Sequence, residues 1–280
     1  RYGDFLVVQI TTAGMERVKD LVLAALLDVV KPAAVLWRND APSRELEGLE
    51  RYVETAHGEF PSACEVEEGG CRFEVSPAEG QKTGWFFDQA RNRDALMPLV
   101  GDTRVLDVCS YVGAWSVRAA HAGAREVVAV DASSTALERL QMNAAKNGVS
   151  DRVNTVAGDA FDELRDLRHE RERFDIVVLD PPAFVKRRKD LKAGSLAYRR
   201  LNEAALGLLE PKGGLLLTAS CSSHLGAEAL LETVQRAARH SDRNVQLLWR
   251  GAQGPDHPLH PAIPETGYLK ALMLRVLPTQ

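Results

Sequence analysis

Cys221 stands in the stretch TASCSSHL, just after the apolar run GGLLL, where a buried strand should be ending. Free cysteines are commonly small core residues. Here Ser220, Ser222 and Ser223 make a polar turn instead of a core, which favours a thiol delivered to a reaction centre. A thiolate that adds at C6 of a pyrimidine makes C5 nucleophilic, dividing one difficult step into easier ones. An exocyclic amine has its own lone pair and needs no such help. A second cluster, LDPPAF from Leu179 to Phe184, closes another apolar run. Pro181 and Pro182 fix the backbone and withdraw amide donors, so that carbonyls and the Asp180 carboxylate are directed into a cleft. Phe184 can then stack on a planar base, as an extruded nucleotide would require.

Three further acids close three further runs. VLDVCSYVGAWS, residues 105–116, contains Asp107 and Gly113, a glycine that would let the backbone approach a nucleotide while Asp107 orients its polar groups. Cys109 and Tyr111 stand where a G-x-G-x-x-G motif would carry glycines. Asp131 ends EVVAVD, about 20 residues after the glycine turn, where a ribose hydroxyl pair is usually held. Asp159 follows in GDA at the same sheet edge. Asp131 or Asp159 alone reads first as a helix N-cap; three acids at successive strand ends read as a nucleotide site. No basic cradle for a pyrophosphate accompanies them, which suits a cofactor with adenosine and no phosphate.

The elements that must position these residues follow a regular rhythm. RVLDVC, EVVAVD, VNTVAG, FDIVVLD and GGLLLTAS are predicted strands, with helical patterns such as STALERLQMNAAKNG between them. Strands this uniformly apolar are buried on both faces, and helical connections make the sheet mostly parallel and doubly wound, a Rossmann-like α/β arrangement. Ligands then bind beyond the carboxyl ends of the strands, where every residue named above falls. Before this domain, FLVVQIT, the amphipathic GMERVKDLVLAALLDVV and AAVLWRN predict a small α/β domain, and CEVEE and CRFEVS flank Gly69-Gly70 as a hairpin. The predicted boundary gives domains 1–79 and 80–280.

With 280 residues, 45% of them hydrophobic, the chain can bury a sizeable core. A net charge of −4 excludes a polycationic nucleic-acid coat but not a local basic groove. VKRRKDLK supplies one, Lys186, Arg187, Arg188, Lys189 and Lys192, beside the acceptor loop where phosphates of a single strand would pass. Four scattered cysteines without C-x-x-C spacing argue against a zinc site or a disulfide framework and for a reducing cytoplasm. No apolar run approaches the roughly 20 residues needed to span a bilayer. A homodimer is compatible with these features and not required by them.

The three acids and the glycine turn resemble those of class I S-adenosylmethionine-dependent methyltransferases. That resemblance implies S-adenosylmethionine as cofactor, with Asp107 and Gly113 in the first motif, Asp131 on the ribose and Asp159 near the adenine amine. GQKTGWFFDQARNR, LDPPAF, TASCS and PDHPLHPAIPETGYLK, in this order, resemble the bacterial large-subunit (23S) ribosomal RNA cytosine-5 methyltransferases over essentially the whole chain. The resemblance implies Cys221 as nucleophile, Asp180 on the N3/N4 edge of cytosine, and Gln81 and Arg91 as cofactor contacts. It also implies an RNA-binding PUA domain ahead of RYGDFLVVQ, so that an N-terminal part is expected to be missing. Glu265 is the candidate base for the C5 proton. A guanine N-methyltransferase of ribosomal RNA shares the D-P-P-F signature, and Cys221 is the feature it would not need. An RNA-binding assembly factor that kept the fold and lost catalysis is the third reading.

Overall fold

The computed structural model describes residues 1–278. By internal packing the chain divides into two compact units, Arg1–Glu67 with Phe73–Phe86, and Glu68–Arg72 with Phe87–Gln280, a division that falls later in the chain than the 79/80 boundary.

In the first unit, β1 (Phe5–Val8) leads through α1 (Ala13–Arg17) and α2 (Lys19–Val29) to β2 (Ala34–Asn39), α3 (Ser43–Leu46) and β3 (Tyr52–His57). The sheet order is β1-β2-β3, with β1 parallel and β3 antiparallel to β2. The helical pattern read as one amphipathic segment is broken at Val18, whose backbone leaves the helical region, and neither α1 nor α2 buries a residue fully. Strand β3 carries mostly exposed side chains, so its apolar pattern is weak and sequence reading passed over it. A hairpin follows, β4 (Cys64–Glu68) and β5 (Cys71–Val75). Gly69 and Gly70 turn it at φ 58° and 78°, the paired positive angles of a tight two-residue turn.

The second unit begins with α4 (Ala90–Leu96) and then alternates strand and helix: β6 (Arg104–Val108), α5 (Ala114–His121), β7 (Glu126–Asp131), α6 (Ser134–Lys146), β8 (Val153–Ala157), α7 (Ala160–His169), β9 (Ile176–Leu179), α8 (Leu191–Leu208), β10 (Gly214–Ser220) and α9 (Ala227–His240). Two strands close it, β11 (Asn244–Gly251) and β12 (Lys270–Leu277). The seven-stranded order is β11-β12-β10-β9-β6-β7-β8. Strands β6 to β10 are mutually parallel, and β12 inserts antiparallel between β10 and β11. All four residues of β9 are at most 1% exposed. Burying such a side chain is worth roughly 1.5–3 kcal/mol, which offsets the roughly 1–2 kcal/mol of backbone entropy lost per ordered residue. The winding reverses between β6 and β9, and that reversal opens the crevice in which a ligand of a doubly wound sheet sits.

Candidate functional site

On one side of the reversal point the turn after β6 is folded around aspartates. Cys109 and Tyr111, the residues that break a glycine motif, both adopt positive φ, 65° and 51°. The strain is held by hydrogen bonds. The amides of Cys109 and Ser110 donate to the carbonyl of Val130, and the amide of Tyr111 to Asp131 Oδ2 at 2.8 Å. Asp131 Oδ1 accepts from Ser133 at 2.9 Å, and each oxygen keeps lone-pair capacity for a hydroxyl pair. Asp159 caps α7, accepting from the amides of Phe161 and Asp162 through Oδ1. Gly113 also has a positive φ, 90°, but a Cβ there would meet Leu140 at 2.6 Å. Its lack of a side chain therefore serves the packing of α5 on α6.

Asp107 is completely shielded. Its Oδ2 accepts from Ser116 Oγ at 2.5 Å, while Oδ1 is buried without a partner. Burial, reinforced by Asp180 and Asp131, pushes its pKa up to about 7. Cys109 senses four carboxylates at once: burial first, then Asp131, Asp180, Asp107 and Asp159 push its thiol far above the ordinary range.

On the acceptor side, Asp180 follows β9. Its Oδ1 accepts from Gln89 Nε2 at 2.7 Å and its Oδ2 from Trp115 Nε1 at 3.0 Å. Asn92 in turn donates to Gln89 Oε1 at 2.7 Å. Burial raises the proton affinity of Asp180, against the opposing pull of these donors and of Arg93. Thr218 pairs with Leu179 at the end of β9, and the amide of Val185 donates to Ser222 Oγ at 3.0 Å, so the turn that carries Cys221 lies against the loop after β9. Cys221 is exposed, whereas Cys64 and Cys71 are buried. Even so, the walls around it desolvate the thiol, and with Asp180 beside it they raise its pKa. Phe184 is half-buried and packs its ring against Tyr198, 4.7 Å between centroids, and Phe161.

The structure thus brings Asp107, Asp131, Asp159, Asp180 and Cys221 to one edge of the sheet. Pro181 is buried and Pro182 exposed in the same loop, and Lys186, Arg187 and Arg188 are exposed just beyond it, with Arg187 paired to Asp190 at 3.1 Å. Arg91 is exposed on α4, and Gln81 belongs to the first unit. Glu265 is exposed in the short turn Pro264–Thr266. His257, read as a loop residue, pairs with Asp256 and stands edge-on to Tyr268. Sequence reading missed Gln89, Asn92, Trp115 and Lys270. Two of the four stand in the quoted segment GQKTGWFFDQARNR, whose helical phase turns Gln89 and Asn92 inward and Arg91 outward. Among the described residues no cluster of histidine, cysteine and carboxylate side chains could hold a metal.

The donor set fits S-adenosylmethionine. Asp131 presents a carboxylate of the kind that holds a ribose, and several carboxylates converge where a cationic sulfonium would be favoured. Near pH 7 Asp107 is close to half protonated, and a cation arriving nearby favours its ionised form, so binding should release protons. Calorimetric titration at pH 7 in two buffers of different ionisation enthalpy is expected to show proton release that is reduced in Asp107→Asn. Equal release by both chains would leave Asp107 outside the linkage.

A family model for S-adenosylmethionine-dependent methyltransferases matches residues 45–275. The ribosomal RNA large subunit methyltransferase I of Aeromonas salmonicida is 39% identical over 277 residues, 98% of this chain and 69% of its own. Its counterpart in Shewanella frigidimarina is 38% identical over 278 residues, 99% of this chain and 70% of its own. Among solved structures, a proposed S-adenosylmethionine-dependent methyltransferase from Streptococcus mutans has a TM-score of 0.85 at 21% identity, covering 98% of this chain and 69% of that one. A proposed methyltransferase in complex with S-adenosylhomocysteine also has a TM-score of 0.85, at 22% identity over 98% of this chain and 70% of its own. At these identities the solved structures establish the fold. The extent of the family match, and 38–39% identity to the curated relatives over nearly all of this chain, establish more: the chain belongs to the S-adenosylmethionine-dependent methyltransferase family, alongside the ribosomal RNA large subunit methyltransferases I.

Proposed function

We propose that the chain methylates C5 of a cytosine in large-subunit ribosomal RNA, using Cys221 as a covalent nucleophile. The observation that carries this reading is an exposed thiol on a turn hydrogen-bonded to the acceptor loop after β9. Methylation of an amine would leave that thiol without a task. Ribosomal RNA as substrate is supported by the names of the curated relatives and by the exposed basic run beside the loop.

In this reading Lys186, Arg187 and Arg188 follow the RNA backbone, and the loop of Pro181, Pro182 and Phe184 receives an extruded base. Asp180, held by Gln89 and Trp115, accepts from the N4 amine and shares a proton with N3 as electron density moves into the ring. Its raised proton affinity suits that task, because an ordinary aspartate would keep too little hold on the proton. Cys221 Sγ bonds to C6 and makes C5 nucleophilic. S-adenosylmethionine supplies the methyl group as an electrophile. Transfer of the C5 proton to a base, a role assigned to Glu265, then breaks the C6–Sγ bond, returns the thiolate and restores the ring. Asp131 and Asp159 are assigned to the adenosine part of the cofactor, and Gln81 and Arg91 to its border.

Nucleoside mapping tests the reading directly. Ribosomal RNA from cells lacking this protein should lose 5-methylcytosine at one or a few large-subunit positions, and the purified protein should restore it in vitro. Loss of an N-methylguanine instead would move the chain to the amine-methylating branch. Unchanged RNA modification would leave an RNA-binding assembly role.

A further inference from the structure

Cys221 leaves its own side chain exposed while its neighbours are gripped from two sides. From one side, Tyr198 OH shares hydrogen bonds with Ser220 Oγ and Ser222 Oγ, at 2.9 and 3.0 Å, and Ser222 Oγ accepts the amide of Val185 in the acceptor loop. From the other, Ser220 pairs across the sheet with Lys270 on β12. Lys270 is 7% exposed and donates through Nζ to the carbonyls of Ser222 at 2.5 Å and Tyr268 at 2.8 Å. Two carbonyls satisfy two of its three donors. No carboxylate pairs with it among the described residues. A buried ammonium without a counter-ion is expensive to keep, and the one ionisable partner it has is the thiol next to Ser222.

We propose that Lys270 is the positioning residue and charge partner of Cys221: its ammonium, anchored on the Ser222 carbonyl, holds the turn and stabilises the thiolate. The inference rests on the reading of Cys221 as nucleophile. Around the thiol stand the Asp180 carboxylate after β9, the Asp88 carboxylate before α4, and the phenols of Tyr198 on α8 and Tyr268 before β12. Asp88 accepts from Tyr268 OH at 2.5 Å. Both carboxylates oppose a thiolate, and Lys270 is the cation set against them. The coupling runs both ways. Burial lowers Lys270 and Cys221 opposes that shift, which leaves the ammonium at about 8. Below about pH 8 the ammonium is therefore present and lowers the pKa of the thiol. Without it, Asp180 and Asp88 act unopposed and the thiol ionises only at higher pH.

Alkylation of Cys221 measures this without cofactor or RNA. The full chain is treated with iodoacetamide between pH 6 and 10, and the Cys221 peptide is quantified by mass spectrometry. In Lys270→Gln, which keeps hydrogen-bond donors and removes the charge, the midpoint should rise by about one pH unit and the rate at pH 7.5 should fall about tenfold. Lys270→Arg should stay close to the wild type. Lys270→Met gives a second chargeless chain if the glutamine variant misfolds by circular dichroism. An unmoved midpoint in a folded chargeless variant overturns the pairing, because a purely structural lysine would change stability and not thiol ionisation. The nucleophile reading fails separately: a wild-type chain that forms no adduct with 5-fluorocytosine RNA refutes it even where the midpoint has moved.

Discussion

RNA carrying 5-fluorocytosine should accumulate a cofactor-dependent covalent complex with the wild-type chain and none with Cys221→Ala. A fluorine at C5 cannot leave as a proton, so the elimination that frees Sγ stalls and the adduct survives denaturing electrophoresis. On ordinary RNA the same substitution should lower turnover by about three orders of magnitude or more, since the nucleophile acts as a unit with its surroundings. The fold should hardly register the change. Cys221 is exposed, and substitutions at exposed positions usually stay within about 0.5 kcal/mol. Loss of adduct can therefore be read as loss of chemistry. Methylation that persists per folded molecule would return the acceptor to an amine.

The second large effect is expected at Asp180. Asp180→Asn should reduce kcat/KM for RNA by about 10²- to 10⁴-fold, the range over which a positioned acid or base contributes, while cofactor affinity changes little. An asparagine side chain keeps one acceptor for Gln89 or Trp115 but turns its NH2 against the other donor and cannot share a proton with N3. Trp115→Phe provides the control. It removes one donor and leaves the carboxylate, so it should cost less than Asp180→Asn. Equal losses in the two variants would mean that Asp180 matters only as an acceptor for its neighbours.

The parallel sheet was legible because β6, β7, β9 and β10 are apolar on both faces, a pattern that survives without any knowledge of their partners. Strand β12 was not, although it is as buried as they are. It begins at the last residue of the motif PETGYLK, and its antiparallel place between β10 and β11 depends on contacts far along the chain. Lys270 was hidden for the same reason: only the pairing of Ser220 with Lys270 brings it to the thiol. Asp131 and Cys221 could be named in advance because each ends a strand, where direction is fixed by the sheet. Gln89 and Arg91 are two residues apart on a short helical stretch, and one points to Asp180 while the other faces solvent. Spacing alone carries no such phase. Gly113 shows a further limit: the contact with Leu140 that a side chain there would meet depends on α6 packing on α5 and is not legible in the strand-turn-helix pattern.

The hairpin tip, residues 68–72, packs with the second unit, while the residues before and after it pack with the first. The chain therefore passes between the units three times. Glu68, on that tip, binds Arg93 and Arg118, each at most 5% exposed, and the two guanidinium groups hold its carboxyl below the usual range even though burial alone would raise it. Removing one partner of a buried ion pair costs about 3–5 kcal/mol. A crossover anywhere between Glu68 and Arg93 would bring the carboxylate from one parent and both arginines from the other. Chimaeras joined there would survive only where both parents had kept the same charges.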